Sequence, residues 1–164
     1  MSLLTKASTV TTPTAYSEGL LHSVKPVVNL GSELVTNGDF ATDSDWTKGT
    51  GWTISGGTAN ASATSATFEQ SSSILTGGKK YKLEFEITSY TSGTLNVDLG
   101  TSSYSASYTS VGVKTVILEA GGFNRPRFYG GSVTCSIDNV SVKEIIGADF
   151  DFARASSATR VNEQ

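Results

Sequence analysis

The chain has one cysteine, one histidine and three prolines in 164 residues. The single cysteine, Cys135, permits no internal disulfide and no cysteine-based zinc site. The single histidine, His22, has no metal-ligand spacing around it, so most metal and triad chemistries are closed to this sequence. Charged residues make up only 16%, and 12 Lys and Arg against 15 Asp and Glu leave a formal charge of −3 and a pI near 5.1. That balance supplies no basic face for phosphates, and a nucleic-acid partner is not expected. No apolar run approaches membrane-spanning length, so membrane insertion is not expected either. The opening Met1-Ser2-Leu3-Leu4-Thr5-Lys6 has neither the basic start nor the apolar stretch of a secretory signal, which points to synthesis in a cytoplasm.

What the chain has instead is Ser and Thr, 46 of its 164 residues, together with 17 Gly. This mixture favours strands and turns and excludes a helical bundle. The length allows one main domain of roughly 100 to 150 residues with short appendages. Residues 1–33 carry few strand signals: a Thr-rich run from Thr9 to Thr14 interrupted by Pro13, a turn signal at Ser17-Glu18-Gly19, and Pro26. They read as an extended arm. Residues 34–146 show short alternating segments separated by Gly, Ser, Thr and Asn, the spacing of a β-sandwich. In the clearest of them Tyr81, Leu83, Phe85 and Ile87 share one face, with Lys80, Lys82, Glu84 and Glu86 on the other. Further strands are expected at 51–55, 58–63, 66–71, 94–99, 113–120 and 125–129. Residues 147–164 form a polar segment with Phe150 and Phe152 in alternation, which reads as the start of something longer.

The last expected strand, Val133 to Ile145, contains a slip. Val133, Cys135 and Ile137 share one face, yet the next apolar residues are Val140 and Val142. Two readings are open at Asp138-Asn139. A β-bulge would insert one residue and keep both halves on the same core; alternatively, one strand ends there and another begins.

Two resemblances follow from quoted residues. Glu33-Leu34-Val35-Thr36-Asn37-Gly38-Asp39-Phe40 with Trp46 and Gly51-Trp52, closed by Ser136-Ile137-Asp138-Asn139-Val140-Ser141-Val142, resembles the jelly-roll carbohydrate-binding modules related to galactose-binding-like domains. The flanks resemble bacteriophage virion proteins of the tail, fibre and head-decoration type. In those proteins a Pro-Thr-x-Tyr-x-x-Gly-x-Leu-(His or Tyr)-Ser-x-x-Pro segment, here Pro13-Thr14-Ala15-Tyr16-Ser17-Glu18-Gly19-Leu20-Leu21-His22-Ser23-Val24-Lys25-Pro26, leads into an Asp-Phe-x-(Phe or Val)-x-Arg-x-Ser-x-Ala-Thr-Arg-Val-Asn segment, here Asp149-Phe150-Asp151-Phe152-Ala153-Arg154-Ala155-Ser156-Ser157-Ala158-Thr159-Arg160-Val161-Asn162. Together they imply an all-β chain: a virion-anchoring arm (1–33), a jelly-roll β-sandwich (34–146), and a short C-terminal segment leading to distal domains (147–164). Implied partners are other virion proteins and further copies of the chain, trimers foremost. The implied location is the virion, assembled in a host cytoplasm. A carbohydrate-binding module of a secreted polysaccharide-degrading enzyme is the competing reading, which predicts a signal peptide and leaves the flanks unexplained.

These residues raise three candidate chemistries. The jelly-roll resemblance implies a structural calcium ion between first and last strands, with Asn37, Asp39 and Asp138 as the oxygen donors, Asp43 and Asp45 in the adjacent loop, and no other cofactor required; where the family carries a carboxylate after the opening Phe, this chain has Ala41. Glycan binding needs exposed rings for sugar C–H faces with hydrogen-bonding groups beside them. Trp46, Tyr90, Tyr104, Tyr108 and Tyr129, with Arg125 and Arg127, supply those groups. Trp52 and Tyr81 read as core, and Cys135 as a small buried residue. Glycoside hydrolysis would need two carboxyl groups across a cleft. Glu84 and Glu86 share one strand face about 7 Å apart, but beside Lys80 and Lys82 they read as a solvated surface, and no enzyme activity is expected.

Overall fold

A computed structural model describes residues 15–17, 20–22, 26–100 and 106–150, with side chains for 28–100 and 106–147. Among these residues every regular element is a strand: β1 (Ala15–Ser17), β2 (Leu20–His22), β3 (Pro26–Glu33), β4 (Trp46–Lys48), β5 (Trp52–Ser55), β6 (Thr58–Thr64), β7 (Thr67–Gln70), β8 (Lys80–Asp98), β9 (Ala106–Tyr108), β10 (Gly112–Glu119) and β11 (Arg127–Phe150). The described residues divide into two compact units, 30–145 and the flanking residues up to 29 and from 146. In the flanking unit β1 and β2 pair antiparallel, Ala15 opposite His22, on either side of the turn signal.

The larger unit is an all-β jelly-roll sandwich built around two long strands. β8 and β11 are antiparallel neighbours from Arg127↔Asp98 to Glu144↔Tyr81. One end of the pair belongs to a layer in which β9 flanks β8 while β7 and then β4 flank β11. The other end belongs to a layer with β10 beside β8, and β6 and then β5 beside β11. The turn from one layer to the other falls at Gly93 and Gly130-Gly131. A Cβ on Gly130 would lie 1.7 Å from the Thr64 carbonyl oxygen, and one on Gly93, at φ 82°, 2.4 Å from that of Ser132. Only glycine lets the backbones approach this closely.

Four register shifts let these long strands bend without losing their inward face. Between Gly131 and Thr134, and again between Asp138 and Ser141, β11 carries one extra residue; between Thr134 and Cys135, and between Ser136 and Ile137, β8 carries it. Each strand thus slips twice and its alternation is restored: Phe128, Val140 and Val142 face the core together with Val133, Cys135 and Ile137. The slip at Asp138-Asn139 is a bulge, with Asn139 at φ 54°, and β11 runs through it as one strand. β8 likewise continues past Ile87, where alternation alone gave no reason for it, because β11 pairs it through Ser89, Tyr90, Ser92 and Thr94.

Aromatic rings close the sandwich. Phe85 of one layer meets Phe128 of the other edge-on at 5.2 Å, and Phe68 lies between the indoles of Trp46 and Trp52, stacked at 4.8 Å from each. Burying a ring of this size contributes about 2–3 kcal/mol. Glu33 then ties the opening of the unit to its last strand: its carboxylate accepts the Val142 amide at 2.8 Å and the Leu34 and Val35 amides at 3.1 Å, and takes the Ser141 hydroxyl on its second oxygen. That tie is why residues 30–33 pack with the sandwich.

Candidate functional site

The sheet face turned away from the core in the β9–β8–β11–β7–β4 layer carries a continuous polar and aromatic array. Alternation puts Phe128 and Val97 inward and therefore Arg127, Tyr129, Asn96 and Asp98 outward. Register then makes neighbours of residues far apart in sequence: Arg127 stands opposite Asp98 on one side and Glu69 on the other, while Tyr129 stands opposite Asn96 and Thr67. Arg127 donates from Nε to Asp98 Oδ1 at 2.9 Å and from Nη2 to Oδ2 at 3.1 Å, a two-pronged pair in which the arginine is 9% and the aspartate 1% exposed. Asp98 Oδ1 also accepts the Gly100 amide at 2.7 Å, fixing the turn after β8.

The guanidinium is flanked by aromatic rings, Phe123 with its centroid 4.5 Å away and Tyr129 at 4.9 Å. Beside it, Arg125 donates to Glu69 Oε1 at 3.2 Å, and Asn96 Oδ1 accepts the Ser107 hydroxyl at 2.6 Å. Burial works against the Arg127 charge, but the hydrogen bonds and charge of Asp98 outweigh it and hold the guanidinium above its usual value. Burial, reinforced by Asp98, pushes the Tyr129 phenol up to about 12. The array is electrically balanced, two arginines against two carboxylates, and at its rim Phe123 is 58% exposed. A flat ring beside fixed amide, hydroxyl and carboxylate groups is the combination that holds an uncharged sugar.

The structure gathers Arg125, Arg127 and Tyr129 from the candidate set and disperses the others. Trp46 is 5% exposed, its face covered by Phe68 and its Nε1 donated to the Asn37 carbonyl oxygen at 3.0 Å, so it packs the core and offers no ring to a ligand. Tyr108 stands opposite Leu95 and therefore faces inward, meeting Phe85 edge-on at 5.3 Å; burial raises its pKa. Tyr90 packs against the core near the layer corner and donates its hydroxyl to the Gly93 carbonyl at 2.6 Å. Tyr104 lies outside the described residues. Phe123, Asp98, Asn96 and Glu69 were not singled out from the sequence. Phe123 had one legible signal, a large ring directly after Gly121-Gly122, where no strand alternation calls for it.

The calcium candidates lie where the opening and closing motifs touch, through the Val140 amide donated to the Gly38 carbonyl at 2.8 Å. Asn37, at φ 53°, spends its groups on its own loop: Nδ2 donates to the Thr42 and Ser44 carbonyls at 2.7 and 2.9 Å, Oδ1 accepts the Thr42 amide at 3.2 Å, and its carbonyl takes the Trp46 indole. Asp39 accepts the Ala41 amide at 3.4 Å and Asp138 the Asn139 amide at 2.7 Å. The Asp39 and Asp138 carboxylates supply only part of the six to eight oxygens a calcium ion takes, the rest falling to backbone carbonyls or water. Glu84 is held by Lys82 at 2.7 Å and by the Thr115 hydroxyl at 3.0 Å, and both hydrogen bonds lower its pKa. No family model matches this chain, and no curated protein is similar enough to it to serve as a relative.

Proposed function

We propose that this chain is a bacteriophage virion structural protein, a fibre, tail or head-decoration component, whose jelly-roll domain is displayed for attachment to a host-surface glycan. The observation that carries the attachment half is the outward stack of Phe123, Arg127 and Tyr129 pinned by Asp98: an exposed ring on a rigid, charge-balanced sheet face. The virion half rests on the resemblance of the flanks, Pro13 to Pro26 and Asp149 to Asn162, to phage virion proteins. Its partners on this reading are other virion proteins and further copies of the chain. An array of bacterial surface glycans tests the attachment half: wild-type protein binds at least one of them, and Phe123→Ala, which removes an exposed ring without touching the core, binds it at least about tenfold more weakly. No binding to any host-surface glycan removes the adhesive role and leaves an architectural one. Mass spectrometry of purified particles tests the virion half, which fails if the chain is found only in the lysate.

A further inference from the structure

The strand β10 ends its layer, paired with β8 on one edge and with nothing described on the other. Natural sheets protect such an edge by keeping it short, bulging it, or placing proline or a projecting lysine on it. β10 lacks the first three, and its charges are Lys114 and, at its very end, Glu119. It runs for eight residues without proline, its register with β8 is unbroken from Gly112↔Ile87 to Glu119↔Lys80, and its outward side chains include Val113 at 65% and Ile117 at 54% exposure, with Val111 just ahead of it at 57%. Its one lysine is turned back: Lys114 Nζ donates to the Ser110 hydroxyl at 3.1 Å and the Val111 carbonyl at 3.0 Å and sits over the Tyr108 ring.

We infer that β10 is a self-association edge, pairing antiparallel with β10 of a second copy about a twofold axis at Thr115. Antiparallel pairing at this register is self-complementary: Val113 meets the second copy's Ile117, Ile117 meets its Val113, and Lys114 meets its Val116, so no like charges oppose one another. The charges one strand further in are also complementary. Lys82 lies beside Ile117 and Glu86 beside Val113, so the row crossing the joint reads Lys82, Ile117, then the second copy's Val113 and its Glu86, apolar in the middle and opposite in sign at the ends. This contact lies on the other layer from the candidate glycan face, and the two can fail separately.

Sedimentation velocity on the full chain tests it with paired charge variants. Val113→Lys with Ile117→Lys, and Val113→Glu with Ile117→Glu, change only exposed side chains, and unchanged melting curves verify that both fold. Each is expected to self-associate at least about tenfold more weakly than wild type, and a 1:1 mixture to recover the lost association, because the twofold register sets Lys against Glu at both positions. The axis itself is read by Thr115→Cys, which oxidises to a covalent dimer and nothing larger, while Thr53→Cys on an exposed face elsewhere does not. A wild-type monomer up to roughly 100 μM, a mixture that recovers nothing, or equal crosslinking of the two cysteine variants overturns the inference.

Discussion

Arg127 and Asp98 show how much one residue pair decides here. Both are nearly buried, each satisfies the other, and removing one strands the second charge in a poorly hydrated place. Asp98→Ala is therefore expected to destabilise the sandwich by about 3 kcal/mol, read as a fall in urea midpoint at unchanged slope. Burial shifts two other groups, Tyr129 beside this pair and Cys135 in the core. The Tyr129 phenol is raised to about 12 against an ordinary 10, so the unfolded chain ionises first. Its contribution to stability is intact below pH 10, falls between about 10 and 12, and is level above, and the folded protein's Tyr129 phenolate absorbance appears only near the upper end of that window. Burial raises the Cys135 thiol from 9 to about 11, so a thiol reagent at pH 8 is expected to label it only in denaturant. At this scale the sequence was partly legible. Alternation around Phe128 is enough to send Arg127 and Tyr129 outward. It says nothing of Asp98, whose place opposite Arg127 depends on the register of two strands whose paired residues are far apart in the chain. Trp46, a lone ring among Asp43, Ser44 and Asp45, looked like a surface ring because its cover, Phe68, arrives from β7.

Among the elements, β11 was the most readable. The switch from odd to even apolar positions at Asp138-Asn139 left two readings open, and the left-handed Asn139 is what makes it a bulge within one strand. Asn139→Gly should leave stability nearly unchanged, Asn139→Val should cost about 1–2 kcal/mol because a β-branched side chain resists that conformation, and deleting Asn139 should abolish folding because Val140 and Val142 would turn outward. Urea melts of the three variants check the order. The compensating slips in β8 were not legible: Thr88 to Ser92 has no apolar alternation to interrupt, and pairing with β11 carries the strand through. The loop after β3 is a parallel case. Because Asn37 holds it through Thr42, Ser44 and Trp46, a chelator is expected to leave the melting temperature within about 1 °C, whereas Asn37→Ala lowers it by about 4–8 °C.

At the scale of the whole molecule, the two ends of the sandwich are fastened to each other, by Glu33 to Ser141 and Val142 and by Gly38 to Val140. Glu33→Ala should lower stability by about 1–2 kcal/mol, since its carboxylate satisfies three amides at a partly exposed site. The overall class was plain from composition, because few charges and abundant Ser, Thr and Gly leave little but β structure. How the outward face works was not, since it is assembled from β7, β8, β9, β11 and the turn bearing Phe123. Backbone amide shifts on titration with a bound surface glycan read that face residue by residue. Perturbations are expected at Phe123, Arg127, Tyr129 and Asn96, with β5 and β10 silent; perturbations confined to the loop 37–45, or none with any glycan, rule out a binding role for this face.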